Sequence, residues 1–536
     1  MTDIIISNGQ IIDGTGKPKF NADILISGSN IDYIGDTSDI NADIELNAKG
    51  KIVCPGFIDI HTHADFPIFV DGLSQSSLRQ GITTLVTGNC GHGPAPSPIN
   101  EITKRNVIGF NEEWGIDIEW NTFEEYLEKL FTKGISTNIA PLVPHGTIRL
   151  AAMGSAEREP TQKELNHMES LIAEAMSAGA IGISTGLEYS PGQYANQKEF
   201  ISLTKVVEKY GGIYASHIRE RGDNFEQSVK EALNIIKHSG VPGELSHLVP
   251  RPYAPKKSFE KVLSLINKAR TEGLHIGIDT FPDIWGPAHL VDLLPRWICD
   301  GSEEAIIERL SNPKTATLCK KYFKNPTNYL LRTGSFDFFF LSHSNSYPEL
   351  IGKSLKEISI LLKLHPIETI LKLAAADGKD FANVLIRHIY ANQDDLEKLL
   401  LDPYCSIESD GAIGSTSGIL KNLVMNRSSY GFAPRFLREY VIEKEMFTIE
   451  EGIRKLTSLP AKSASLKNIG KIEKNMAADI VILDQQKLRD NTTDNLPQVY
   501  PDGIDMVIVN GKIVIKNETH TKKMPGKLIK SALRKM

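Results

Sequence analysis

At 536 residues, 41% hydrophobic and 24% charged, the chain has the composition of a globular protein with an ample core, which excludes disordered and collagen-like classes. Sixty basic against sixty-six acidic residues give a formal charge of −6, so nothing draws the whole molecule to nucleic acid. The 5 scattered cysteines are too few and odd in number for a disulfide framework. With Asp3 inside the first apolar run and no apolar run of the ~18 residues a membrane helix needs, the chain reads as cytoplasmic and without a membrane span.

The first fifty residues alternate short β-rich runs, DIIISNGQII, ADILISG and NIDYIGD, with Gly, Asn and Asp turn signals, the pattern of a small antiparallel sheet. Eight short apolar runs follow: IVCPGFIDI, GITTLVTGNC, STNIAPLVP, GAIGIST, GIYASH, PGELSH, HIGIDTF and YCSIESD. Each reads as a buried strand ending in polar residues. Amphipathic stretches lie between most of them, for example TQKELNHMESLIAEAMSAG, which opens on a Thr161 cap with Glu164 three residues on. The alternation predicts an α/β protein, a (β/α)8 TIM-like barrel over residues 57–461, whose strand C-termini carry the chemistry. From Phe281 to Cys405 the interval is too long for one crossover and predicts an inserted helical subdomain around 286–400, including LLPRWICDGSEEAIIERL. Strand signals return at the end, where Asn510-Gly511 between two Val/Ile runs predicts a tight hairpin. Neither end can bury a sheet alone, so residues 1–56 and 462–536 are expected to form one small β-sandwich domain. The last residues, KKMPGKLIKSALRKM, read as a solvated tail or a short docked helix.

His61 and His63 stand at i, i+2 in an extended segment, so both imidazoles project the same way and can meet one metal. Cys90, His217, His247 and Asp410 each end a separate strand-like run. In a barrel these ends converge on one rim, which turns residues remote in sequence into a single metal site of soft and nitrogen ligands with one carboxylate. The glycine-rich GNCGHG lacks phosphate-loop spacing, and no Lys-Ser/Thr follows it, which argues against nucleotide binding.

At this point the chain resembles the amidohydrolase superfamily and, within it, the N-acyl-D-amino-acid deacylases, or D-aminoacylases. The blocks that carry the resemblance are PGFIDIHTHAD, QGITTLVTGNCG, GAIGISTGLEYSPG, YASHIRERGD, ELSHL, ESDGA, YGFAPRFLREYV, LTSLPA and ADIVILD, in the family's order and over nearly the whole chain. The resemblance implies a Zn2+-bearing barrel with a sandwich built from both ends. It makes Cys90, His217 and His247 the ligands of one tight zinc, with His61, His63 and Asp410 lining a second, weaker position. Asp410 would also be the general base and acid of a linear amide hydrolysis. Tyr189 in GLEYSPG would anchor substrate, and His145 in PLVPHGTIR matches a family histidine, touching substrate or positioning a ligand.

Substrate anchoring departs from the family pattern. The usual lysine two residues after the strand-six histidine is Val249 here, and the tyrosine-bearing strand-seven segment reads DTFPDIWGP. Phe281 has no hydroxyl, and Asp283 is expected to repel a carboxylate. Arg251 is the nearest replacement, with Arg296 and Arg435 as further candidates. The expected function is therefore hydrolysis of a small N-acylated substrate, by an N-acyl-D-amino-acid deacylase or a relative with altered carboxylate anchoring. The rival readings are a cyclic-amide hydrolase of the dihydroorotase or hydantoinase kind, disfavoured because the strand-four run GAIGISTG has no lysine, and a non-catalytic scaffold. The oligomeric state is not legible.

Overall fold

The computed structural model describes residues 3–97, 114–154, 156–188, 190–298, 303–323, 335–378, 381, 384–422, 426–493 and 496–531. Its central sheet is a run of eight parallel strands hydrogen-bonded in sequence order: Phe57–Asp59, Ile82–Thr87, Asn138–Pro144, Gly182–Gly186, Ile213–His217, Gly243–Leu245, Ile276–Thr280 and Cys405–Ile407. A parallel bridge between Thr62 and Gly411 brings the last strand beside the first and closes the (β/α)8 barrel. We call these strands one to eight.

Both termini contribute to the sheets that flank the barrel. Strands Asp3–Ser7, Asp23–Ser27, Asn30–Gly35 and Ile44–Asn47 form one sheet, and a seven-stranded sheet joins Gln10–Ile11, Phe20–Asn21 and Ile52–Pro55 to Ile480–Leu483, Ile504–Val509, Lys512–Lys516 and Thr519–His520. An isoleucine-rich core including Ile4, Ile24, Ile26, Ile480 and Ile508 fills the space between them. The turn at Asn510-Gly511 joins antiparallel neighbours, with φ of 46° and 72° at its two central residues, the left-handed pair that matches strand twist. The run IVCPGFIDI is two strands rather than one: Ile52–Pro55 belongs to the terminal sheet and Phe57–Asp59 to the barrel. Gly56 makes the division, because a Cβ there would lie 2.1 Å from Thr83 Oγ1, so the crossing of the two sheets tolerates only glycine.

Helix Gln162–Ala178 opens on the reciprocal capping box of Thr161 and Glu164 and buries Met168, Ile172, Ala175 and Met176, one stripe at helical spacing. The region between strands seven and eight departs from a purely helical insertion. Trp285–His289, Leu385–Ile389 and Phe339–His343 make an antiparallel sheet, with helices Glu303–Ser311, Pro313–Tyr322, Leu355–Leu362 and Pro366–Ala376 around it. Strand alternation puts Phe339, Leu341 and Ile386 into a separate core with Leu290, Leu293 and Ile370. Helix Gln393–Leu400, which falls inside the span expected for the insertion, packs into the barrel core through Leu396, Leu399 and Leu400.

Up to residue 531 the basic C-terminal segment is docked through its backbone and is not helical, with Lys522, Lys523, Lys527 and Lys530 exposed. It runs extended beneath strand three, where Ile139 N donates to Lys527 O and Ile529 N to Ile139 O, while Gly526 N donates to Ile135 O. Pro525 and Gly526 oppose a helix, and the backbone groups at the strand's start need partners. Among the described residues no helix is long and apolar enough to cross a membrane.

Candidate metal centre

Strands one, two, five, six and eight deliver His61, His63, Cys90, His217, His247 and Asp410 to one end of the barrel. Three of these residues sit in left-handed backbone just past their strands: Cys90 at φ 53°, His247 at 37° and Asp410 at 43°. That conformation is costly for residues with a Cβ and persists only where surrounding bonds fix it. Here Asp279 Oδ1 accepts from His247 N at 2.5 Å, Asp410 N donates to His61 O at 3.1 Å, and His63 N donates to Gly411 O at 2.7 Å.

Cys90 Sγ is the hub, 3.2 Å from His61 Nε2, 3.5 Å from His217 Nδ1 and 3.6 Å from His247 Nε2. In a tetrahedral zinc site with Zn–N of about 2.0 Å and Zn–S of about 2.3 Å, sulfur and nitrogen lie about 3.5 Å apart, so the donor spacing fits the ion. Asp410 Oδ1 stands 3.3 Å from His63 Nε2 and 3.6 Å from His61 Nε2. Two donor groups result, His61 with Cys90 and His247, and His61 with His63 and Asp410, so His61 lies at their junction.

The electrostatics suit coordination. Burial pulls the His61 imidazole down to about 3 and also lowers His217 and His247, so all three present neutral nitrogens at pH 7. His217 Nε2 faces Glu188 Oε2 at 2.8 Å, which leaves Nδ1 toward Cys90. Burial works to raise Glu188, but Arg251 and the His217 contact outweigh it and hold the carboxyl at about 2. Burial, reinforced by Asp410, pushes the Cys90 thiol well up, so a metal must displace its proton. For Asp410, burial is overcome by the His63 hydrogen bond and the electrostatic interaction with the His61 and His63 imidazoles, which keep it below the usual carboxylate range.

The substrate side differs from the sequence expectation. Asp283 does not present a free charge: Arg427 grips it at 2.6 and 2.9 Å and Arg435 at 2.5 Å, and Arg435 also pairs with Asp490. Two guanidinium groups cancel the repulsion expected of it. Arg251, 3% exposed, reaches Glu188 Oε2 at 3.4 Å and so stands one residue from a candidate ligand. His145 lies outside the donor groups. Its Nε2 is 2.8 Å from Glu199, which also binds Arg149 at 2.6 Å, and its ring packs on Phe200. Tyr189 and the Arg296 side chain fall outside the described residues. Sequence reasoning missed Glu188, Asp279, Arg221 and Tyr390. Glu188 adjoins Tyr189 in GLEYSPG, Arg221 lies in the block YASHIRERGD and Asp279 in the strand-seven run HIGIDTF, but nothing local marks Tyr390, which reaches the site only through the fold.

The family model described as "Amidohydrolase family" matches residues 45–278 and 416–515. The chain belongs to the amidohydrolase family. This amidohydrolase, by family a C–N bond hydrolase, is 30% identical to the N-acyl-D-glutamate deacylase of Alcaligenes xylosoxydans xylosoxydans over 98% of its own length and 96% of the relative's. Its fold matches the N-acyl-D-glutamate deacylase of Bordetella bronchiseptica, solved with zinc and a phosphonate mimic of the tetrahedral intermediate, with a TM-score of 0.82 at 27% identity, covering 99% of this chain and all of that one. It also matches a D-aminoacylase whose binuclear centre is activated by one metal and attenuated by a second, with a TM-score of 0.79 at 26% identity, again over 99% of this amidohydrolase.

Proposed function

We propose that this amidohydrolase is a zinc-dependent deacylase that hydrolyses the linear amide of a small N-acyl-D-amino acid or close analogue. The observation that carries this reading is the Cys90 thiol set among three neutral imidazoles, with the ionised Asp410 carboxylate beside His61 and His63. Cys90, His217 and His247 would hold the tight zinc, and His61, His63 and Asp410 a weaker second ion; one solved relative carries zinc and another a binuclear centre. A divalent ion in these groups supplies Lewis acidity toward the scissile carbonyl and the attacking water.

The rest of the chemistry falls to the chain. Asp410 starts ionised, takes a proton from the attacking water and returns it to the departing amine nitrogen. Glu188 keeps His217 in one tautomer, and Asp279 fixes the backbone of His247, so the donors stay aimed while charge moves. Arg251 would bind the substrate together with Tyr189, the next residue after Glu188 in the sequence, and His145 would brace the rim from behind Glu199. Strand four, Gly182–Gly186, offers no lysine to bridge two metals, which favours a linear over a cyclic amide.

A library of N-acyl amino acids in both configurations, assayed for free amine beside hydantoin and dihydroorotate, tests reaction and stereochemistry together. In Asp410→Asn we expect kcat to fall at least ~10²–10⁴-fold with tight zinc retained. Near-normal turnover in that variant would refute the assignment of the base.

A further inference from the structure

Where strand seven leaves the barrel and the insertion returns to it, Tyr390 N donates to Ile284 O at 2.7 Å, which seats Tyr390 beside the metal centre. Its ring packs on Phe281 at 4.9 Å and lies edge-on to His247 at 6.3 Å, and its hydroxyl reaches His247 O at 3.5 Å. The guanidinium carbons of both Arg221 and Arg251 stand over this ring, 4.5 and 4.6 Å from its centre. Arg221, 1% exposed, also donates to His247 O at 2.7 Å, and Arg251 meets Glu188, the partner of His217. The Tyr390 ring, negative over its faces, favours both cations in a desolvated place. Each guanidinium is a planar fork that meets a carboxylate in geometry as well as charge.

We propose that Tyr390, carried in by the insertion, is a positioning residue that holds Arg221 and Arg251 as a paired cationic anchor for a carboxylate on the substrate. The proposal rests on the deacylase reading, since an N-acyl amino acid carries such a group next to the scissile amide. Through Tyr390 the insertion sets the geometry of substrate selection without touching the reacting atoms.

The zinc-loaded full chain is titrated by calorimetry with D-methionine and with D-methioninamide, which differ in the carboxylate, and turnover is measured on N-acetyl-D-methionine and its amide. Wild type should bind the acid more tightly. Tyr390→Leu should weaken acid binding and raise KM for the acid substrate about ten-fold, leaving the amides and kcat within about two-fold. Tyr390→Phe, which keeps the ring, should behave as wild type. Equal loss for acid and amide, an unchanged Tyr390→Leu, or no preference in wild type would overturn the anchor. Selective binding with no hydrolysis of any N-acyl compound would sustain the anchor and sink the deacylase reading alone.

Discussion

Strands one, two, three and five line the barrel interior largely with hydrocarbon, whereas strands six to eight line it with carboxyl groups. Ile58, Val86, Ala140, Leu142, Ile181, Ile213 and Ala215 form one cluster with Ala461 and Ala464, at the helix Ser458–Ser463 that closes the barrel below. Across from them stand Glu244, Asp279 and Glu408, each at most 1% exposed. Glu244 reaches the same closing helix, since a Cβ on Gly277 would lie 1.8 Å from its Oε2 and 2.5 Å from Ser463 Oγ. Burial raises Asp279 to about 8 and holds Glu244 and Glu408 well above the usual carboxylate range, so this half of the interior carries protons rather than charge at pH 7. Hydrocarbon thus gives the barrel its stability, and the acid half supplies the acceptors that hold metal donors in strained backbone.

The largest effect is expected at the metal. Cys90→Ala removes the atom that meets all three imidazoles, and tight zinc, measured by metal analysis after dialysis, should fall from about one per chain to near none while the barrel stays folded. Stoichiometric zinc in that variant would show that the histidines alone hold the ion. On the hydrocarbon side, Leu142→Ala should lower unfolding stability by about 2–5 kcal/mol yet keep the zinc content, read by denaturant titration beside metal analysis. Loss of metal with little loss of stability would erase the division of labour.

Two smaller effects test the proton inventory. Because the buried thiol of Cys90 is protonated in the metal-free chain and burial already keeps His61, His217 and His247 neutral, zinc binding should release one proton. Apparent affinity should then tighten about ten-fold per pH unit between about pH 6 and 8, checked by competition with a chelator. The smallest effect is expected of Glu244→Gln, within about 1 kcal/mol at pH 4, since an amide resembles the neutral acid. A carboxyl raised by folding contributes fully below its unfolded pKa of about 4.3 and loses that contribution as pH climbs toward the raised value. Thermal unfolding of this variant between pH 5 and 8 should therefore decline less with rising pH than that of the wild type.

Much of the site was legible because its donors obey local rules. His61 and His63 share a face by strand periodicity, and Cys90, His217, His247 and Asp410 each close a recognisable apolar run. What those residues lean on was not legible. Glu188 aims His217, and Asp279 fixes His247 from 32 residues away. Arg427 and Arg435 neutralise Asp283 from 144 and 152 residues away. No short-range signal encodes such partners, so Asp283 read as a repelling charge until the fold paired it.

The eight strand runs, the helix caps and the hairpin at Asn510-Gly511 were legible in the sequence, and so were the candidate metal donors, all through side-chain periodicity and backbone preference within a few residues. Long-range packing decided that IVCPGFIDI divides at Gly56 and that the insertion holds a sheet. It also decided that the C-terminal segment straps strand three and that one half of the barrel interior is acid. Each of these depends on which distant backbone or charge arrives to satisfy a buried group, and that is settled by packing rather than by local propensity.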